Sequence, residues 1–191
     1  MNEKLNLNIS EELKNKIKKI KILITDIDGI HTDGSYYVGD MGEFKRYHAS
    51  DGAAIVIARY ADLPIAIISG RKSGSTTRRC KELSIPKSLV YQGYMNKMEP
   101  YKEILKKFNV SDENVAYVGD DLIDEPVMLK AGVSFSVPNA RFEIRNIADF
   151  VTVTKGGDGA VKEIIELILK VQNRFDSALN NLRNHYSQKT K

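Results

Sequence analysis

The chain has 191 residues, 42% hydrophobic, 28% charged and 8% aromatic, a length that suits one domain with an appendage and a composition that excludes a disordered chain. The formal net charge of +4 sits at the ends, with five Lys against three Glu over residues 1–20 and four basic residues against Asp176 over residues 171–191; the termini therefore read as solvated tails, and no basic face for nucleic acid is expected. No run approaches the roughly 20 apolar residues of a membrane helix, Met1 to Ser10 carries no apolar segment leading to a cleavage site, and the single cysteine, Cys80, excludes an intramolecular disulfide, so a cytoplasmic protein away from membranes is expected.

Short apolar runs rich in β-branched residues alternate with segments of helical period, the rhythm of βα units. The first run spans residues 20–25. Residues 34–47 break the rhythm, because two short strand-like pieces around Gly39-Asp40-Met41-Gly42 read as a β-hairpin. Its Tyr36, Tyr37, Val38, Phe44 and Tyr47 are too apolar for a free flap. A helix over residues 53–60 precedes a strand over 63–69, and a helix over 73–83 precedes a strand over 88–91. Helices over 97–108 and 122–131 then flank a strand over 114–119, and strands over 133–137 and 150–153 complete the set. The result is an α/β fold, a doubly wound parallel sheet with a hairpin flap and no cap domain.

From Ala160 the apolar stripe continues through Val161, Ile164, Ile168, Val171, Phe175, Leu179, Leu182 and Tyr186 with no Pro or Gly to stop it. One helix about 40 Å long is expected, its far half either a frayed tail or covered by another chain, the latter favoured because Phe175, Leu179 and Leu182 are costly to expose. The organisation is thus a single domain over residues 1–170 and a helical tail over 171–191.

Ligands in open α/β sheets bind beyond the carboxyl ends of the strands, and those ends are acidic here. The first strand leads into Asp26-Ile27-Asp28-Gly29, the second into Ser69-Gly70-Arg71-Lys72, the third into Gln92-Gly93 and Asn96-Lys97, and the fourth into Gly119-Asp120-Asp121-Leu122-Ile123-Asp124. Such a cluster repels itself unless it holds a hard cation such as Mg²⁺, with Asp26, Asp28 and Asp120 as ligands. Asp26 then reads as a nucleophile that forms an aspartyl phosphate. Asp28 reads as the acid for the leaving alkoxide and the base for the attacking water. Ser69 and the Gly70 amide would donate to phosphoryl oxygens, and Lys97 would supply a fixed positive charge. Asp121 and Asp124 would hold Lys97 and the metal in register. Singly, an Asp-x-Asp is an ordinary turn, Lys97 a surface helix start and Gly119-Asp120-Asp121 a helix cap. Their conjunction at four strand ends, in the chain order one mechanism requires, favours the chemistry.

These four motifs resemble those of the haloacid dehalogenase superfamily. From about Lys21 to Leu169 the chain is similar to its capless 3-deoxy-D-manno-octulosonate 8-phosphate phosphatases, through Asp51-Gly52, Ser69-Gly70-Arg71-Lys72, Arg79-Cys80, Tyr91-Gln92-Gly93, Asn96-Lys97 and the segments 115–124 and 156–163. The resemblance implies Mg²⁺-dependent hydrolysis of a 3-deoxy-2-keto sugar acid phosphate, 3-deoxy-D-manno-octulosonate 8-phosphate first among them, in lipopolysaccharide biosynthesis. It also implies a homotetramer in which each hairpin packs against its neighbours and a neighbouring subunit closes the active site. Gly70, Arg71, Arg79 and Asn96 become the substrate-binding candidates, the two arginines matching family residues that contact the sugar acid.

The chain departs from the family in having Ser69 where Thr is commoner, and Asp158 and Lys162 where those enzymes typically have Arg. Relatives that act on nine-carbon, sialic-acid-like 9-phosphates supply the alternative substrate; some have Glu at the position of Arg71, so Arg71 favours the eight-carbon acid. Two other classes fit less well. A receiver-like signalling module carries its acidic pair on the first strand and its phosphoacceptor later, the reverse of the order here. A non-catalytic scaffold has no need of every catalytic side chain, and all are present.

Overall fold

In the computed structural model, which describes residues 9–40 and 42–189, the apolar runs pair as the alternation requires. The strands are β1 (Ile22–Thr25), the hairpin pair β2 (Tyr37–Gly39) and β3 (Gly42–Phe44), then β4 (Ile65–Ser69), β5 (Val90–Gln92), β6 (Val115–Val118), β7 (Val133–Ser136) and β8 (Phe150–Val151). Every residue of β1, β4, β6 and β7 is buried, as befits strands covered on both faces. Six of the strands form one parallel sheet in the order β5-β4-β1-β6-β7-β8. The chain lays β4 and β5 on one side of β1 and returns to lay β6, β7 and β8 on the other. The crevice between the ends of β1 and β6 is therefore the switch point where such sheets bind ligands.

The covering helices are α1 (Glu11–Lys18), α2 (Ala49–Tyr60), α3 (Gly74–Glu82), α4 (Met98–Phe108), α5 (Glu125–Met128), α6 (Phe142–Ile147), α7 (Ala160–Val171) and α8 (Phe175–Lys189). α7 buries Ile164, Ile165, Ile168 and Leu169 completely and packs on α2. α1 lies in a segment read as a solvated tail. Ser10 caps it by accepting from the Leu13 N–H at 3.1 Å, Leu13 and Ile17 are buried against the core, and Lys16 reaches Asp149 at 2.8 Å. Two apolar side chains four residues apart suffice once a groove beside α7 accepts them. The helix expected over 122–131 is instead a 3₁₀ turn at Leu122–Asp124 followed by the single turn α5. Among the described residues, no helix is long and apolar enough to cross a membrane.

The single long helix expected from Ala160 is two. α7 stops at Val171 because Asn173 takes a left-handed conformation, φ 56°, with its N–H on Lys170 O and the Arg174 N–H on Leu169 O at 2.8 Å. Asn is among the few residues that adopt this conformation readily. α8 then folds back on α2. Ala178 is fully buried, Leu179 and Leu182 are half-buried, and the His185 ring lies 5.7 Å from that of Tyr60. The apolar stripe is covered, in part, by its own chain.

The hairpin forms where expected, with Tyr37 opposite Phe44 and Val38 opposite Glu43; Met41 of its turn lies outside the described residues. It leaves apolar side chains bare, with Tyr37, Val38 and Phe44 70%, 77% and 58% exposed. Its inner side carries Glu43, Lys45 and Tyr47 towards α3, through Ser73 and Thr76.

Candidate active site

The turn that follows β1 is shaped by glycine. Asp26 is still on the sheet, its N–H bonded to Val118 O at 3.0 Å. The N–H groups of Ile30 and His31 then fold back on Ile27 O. Gly29 has φ +87°, and a Cβ there would sit 2.0 Å from Asp120 Oδ2; only glycine lets the end of β6 approach the end of β1. A glycine-rich segment straps this turn from above. The Asn139 side chain donates to Gly29 O at 3.0 Å and accepts from the Gly156 N–H at 2.7 Å. A Cβ on Gly156 would collide with Gly29 O at 1.7 Å. Below the turn, buried His31 contacts Thr25 Oγ1 through Nε2 at 2.6 Å.

Lys97, at the start of α4, sends a fully buried ammonium to the ends of β1 and β6. Its Nζ lies 3.1 Å from Asp26 Oδ2 and 2.6 Å from Asp124 Oδ1. Burial disfavours that charge, but the Asp26 and Asp124 carboxylates outweigh it and hold the lysine above its ordinary pKa. Asp124 also accepts from Tyr117 OH at 2.5 Å and from the N–H groups of Asp120 and Asp121 at 3.1 and 3.2 Å, so both its oxygens are occupied. Burial pushes Asp26 up to about 7 against the pull of Lys97. Burial pushes Asp120 up to about 8, with repulsion from Asp26 and Asp124 adding to it.

The donor set suits a hard divalent cation. Asp26, Asp120 and Asp124 each bring a carboxylate oxygen within 4.8 Å of the others, and Oδ1 of Asp26 and Oδ1 of Asp120 are buried without any hydrogen-bond partner. Buried carboxylate oxygens left unpaired are costly unless a ligand satisfies them. With Asp124 fully engaged elsewhere, Asp26 and Asp120 are the two with coordination to offer.

The remaining expected residues divide. Asp28 does not join this group; its carboxylate turns to Lys45, whose Nζ lies 2.6 and 2.9 Å from the two oxygens. The metal role expected of its side chain is thus not supported. Asp121 is exposed, accepts from its neighbour's Leu122 N–H at 2.7 Å and lies 3.9 Å from Arg141, so the place expected for it beside Lys97 belongs to Asp124 alone. Ser69 is buried at the end of β4, and Gly70 is pressed by Ile123, whose Cδ1 would lie 2.9 Å from a Cβ. Arg71 is exposed, with its guanidinium over the Tyr36 ring at 3.9 Å and 2.5 Å from Glu43. Arg79 pairs with Glu82 at 3.0 Å and covers Gly52. Asn96 is exposed, accepting from the Met98 N–H and donating to Glu99, both at 3.3 Å. Glu43, Lys45 and Asn139 reach the site without having been anticipated. The first two carried a signal, since charges two apart on a strand share a face.

A family model described as haloacid dehalogenase-like hydrolase matches residues 86–164. Over 171 residues the chain is 42% identical to 3-deoxy-D-manno-octulosonate 8-phosphate phosphatase KdsC of Escherichia coli (strain K12), spanning 89% of this chain and 90% of that protein. The crystal structure of the Yersinia pestis 3-deoxy-D-manno-octulosonate 8-phosphate phosphatase superposes with a TM-score of 0.85 at 37% identity, over 88% of this chain and 90% of that one. The Moraxella catarrhalis phosphatase of the same name, in complex with a magnesium ion, a phosphate ion and a KDO molecule, has a TM-score of 0.84 at 38% identity, over 90% of this chain and 98% of that one.

Proposed function

Because this chain belongs to the haloacid dehalogenase-like hydrolases and, within them, to the 3-deoxy-D-manno-octulosonate 8-phosphate phosphatase family, we propose that it hydrolyses that sugar acid phosphate with Mg²⁺ as its cofactor. Asp26 attacks phosphorus through one of its carboxylate oxygens, and the bond to the sugar oxygen breaks as the aspartyl phosphate forms. Asp28 gives its proton to the departing alkoxide. It then takes one from the water that attacks the aspartyl phosphate, releasing inorganic phosphate and restoring Asp26. Lys97 keeps Asp26 aimed and offers positive charge to a phosphoryl oxygen, while Ser69 and the Gly70 amide donate to the others. Asp26 and Asp120 would hold the metal, which when bound neutralises charge between nucleophile and phosphoryl group. Arg71, Arg79 and Asn96 would hold the sugar acid, the guanidinium fork suiting its carboxylate.

The observation that carries this reading is the pair of buried, unpartnered carboxylate oxygens at the switch point beside a buried lysine. Phosphate release tests it. The eight-carbon 8-phosphate should be hydrolysed, chelation should abolish the activity and Mg²⁺ should restore it. A preference for a nine-carbon 9-phosphate would transfer the reading to the sialic-acid-like substrates, and no release from either would overturn it.

The reading includes a cytoplasmic location, a catalytic domain over residues 1–170 and a tail over 171–191 that braces α2. It also includes a homo-oligomer, with a tetramer as the simplest form. Among the described residues the catalytic edge carries no cap, and the exposed Tyr37, Val38 and Phe44 are a surface that hydrophobic association would cover. Light scattering decides this point: an active species of 21.5 kDa would show that one chain closes its own site.

A further inference from the structure

The hairpin is tied to the catalytic edge by charge. Along an extended strand alternate residues face the same way, and Phe44 and Arg46 point outwards while Glu43, Lys45 and Tyr47 turn in. Glu43 accepts from Ser73 Oγ at 2.6 Å and from Arg71 at 2.5 Å. Tyr47 OH lies 3.3 Å from Thr76 Oγ1. Lys45 goes deepest. Its side chain is fully buried, and its ammonium spends its donors on Asp28 Oδ1 at 2.6 Å, Asp28 Oδ2 at 2.9 Å and Thr76 Oγ1 at 3.5 Å, with Glu43 at 3.6 Å.

Among the described residues, Lys45 is the only hydrogen-bond donor to the Asp28 carboxylate. A buried ammonium requires its counter-charge, so the docking of the hairpin and the orientation of Asp28 are one arrangement. From this geometry we infer that Lys45 is the positioning residue for acid–base catalysis by Asp28, and that each chain's hairpin is part of its own catalytic apparatus as well as an outward surface. The inference rests on the reading of Asp28 as acid and base. Lys45 fixes the carboxylate in one orientation; without it the carboxylate is free to rotate, and proton delivery suffers more than binding does.

The test is steady-state kinetics of the Mg²⁺-loaded enzyme on the sugar acid phosphate and on p-nitrophenyl phosphate, whose leaving group needs little protonation. Wild type, Lys45→Met, Asp28→Asn and the double variant are compared, with thermal unfolding measured alongside. Lys45→Met should lower kcat on the sugar substrate roughly tenfold to a hundredfold, a part of what general acid catalysis supplies. The loss on the aryl phosphate should be at least about tenfold smaller, with KM little changed, and the substitution should add nothing once Asp28 is Asn. If Lys45→Met unfolds too readily to assay, Lys45→Gln, which keeps a donor and loses the charge, carries the same comparison. Equal losses on both substrates, or additive losses in the double variant, would overturn the role of Lys45 while Asp28→Asn still discriminates between them. An Asp28→Asn enzyme that fails to discriminate would overturn the reading of Asp28 itself, and this inference with it.

Discussion

Lys97 and Lys45 both deliver a fully buried ammonium to an aspartate, Asp26 and Asp28 respectively, and they differ in what stands behind them. Lys97 belongs to the sheet edge. Its second partner, Asp124, is itself held by Tyr117 and two backbone N–H groups, so the proposed nucleophile, Asp26, is aimed by a closed network. Lys45 belongs to a two-stranded hairpin whose outer face is bare and whose other anchors, Arg71 with Glu43 and Tyr47 with Thr76, are partly exposed. Exposed ion pairs contribute little and are screened by salt. In the proposed mechanism the nucleophilic side of the site is therefore preorganised by the core, whereas the acid–base and recognition side depends on how firmly the hairpin is docked and on what covers it.

The comparison is broken most completely at Asp26. Asp26→Asn should reduce kcat by at least about a thousandfold, as removal of a nucleophile does. The unfolding midpoint should be held, because burial already disfavours charge at that position; full activity in this variant would end the mechanism. Asp124→Ala should show the opposite pattern, a loss of about 3–5 kcal/mol in denaturant stability as Lys97 is left with a weaker partner, together with lost activity. A stable Asp124→Ala protein would show that the network is less closed than its distances indicate.

His31 sharpens the contrast through pH. Burial, with Arg79 adding repulsion, lowers its pKa to about 4 from an ordinary 6.5. Between those values the unfolded chain binds a proton that the folded chain refuses. Stability should thus fall as pH drops from about 6.5 towards 4, by up to about 3 kcal/mol from this group. Urea unfolding at pH 7 and pH 4.5 measures the drop, which should shrink in His31→Gln; an identical drop in the variant would refute the assignment. The smallest effect belongs to the rim. Arg71→Ala should raise KM for the sugar acid phosphate about tenfold through a lost charge-assisted contact, yet alter stability by less than about 1 kcal/mol. A collapse in stability there would mean that the Glu43 pair secures the hairpin more strongly than an exposed pair should.

Much of the centre was legible because its code is local. A strand end, a turn and a helix start are specified by residues adjacent in sequence, so Asp26, Ser69, Lys97 and Asp120 announced their positions at the switch point. The hairpin was legible for the same reason, from Gly39 and Gly42 flanking a turn. What escaped depended on partners distant in the chain. α1 exists because Leu13 and Ile17 meet a groove beside α7, and its lysine-rich sequence reads as a tail until that groove is known. The end of α7 rests on one residue, Asn173, entering a conformation that its apolar stripe gives no sign of. Asp121 and Asp124 look equivalent in sequence, and only the approach of Tyr117 and Lys97 assigns the buried position to one of them.

The sequence by itself determined the order of elements, the class of chemistry and the carboxylates that gather at the strand ends, since βα alternation and strand-end residues are short-range features that survive in any context with this topology. Tertiary structure alone decided which oxygens remain free for a cation, which carboxylate Lys45 holds, and whether the last helix runs outwards or turns back on α2. Those outcomes depend on which buried charge finds its counter-charge across long stretches of chain, and a pairing energy of that kind is written in distances between elements that no local pattern of residues contains.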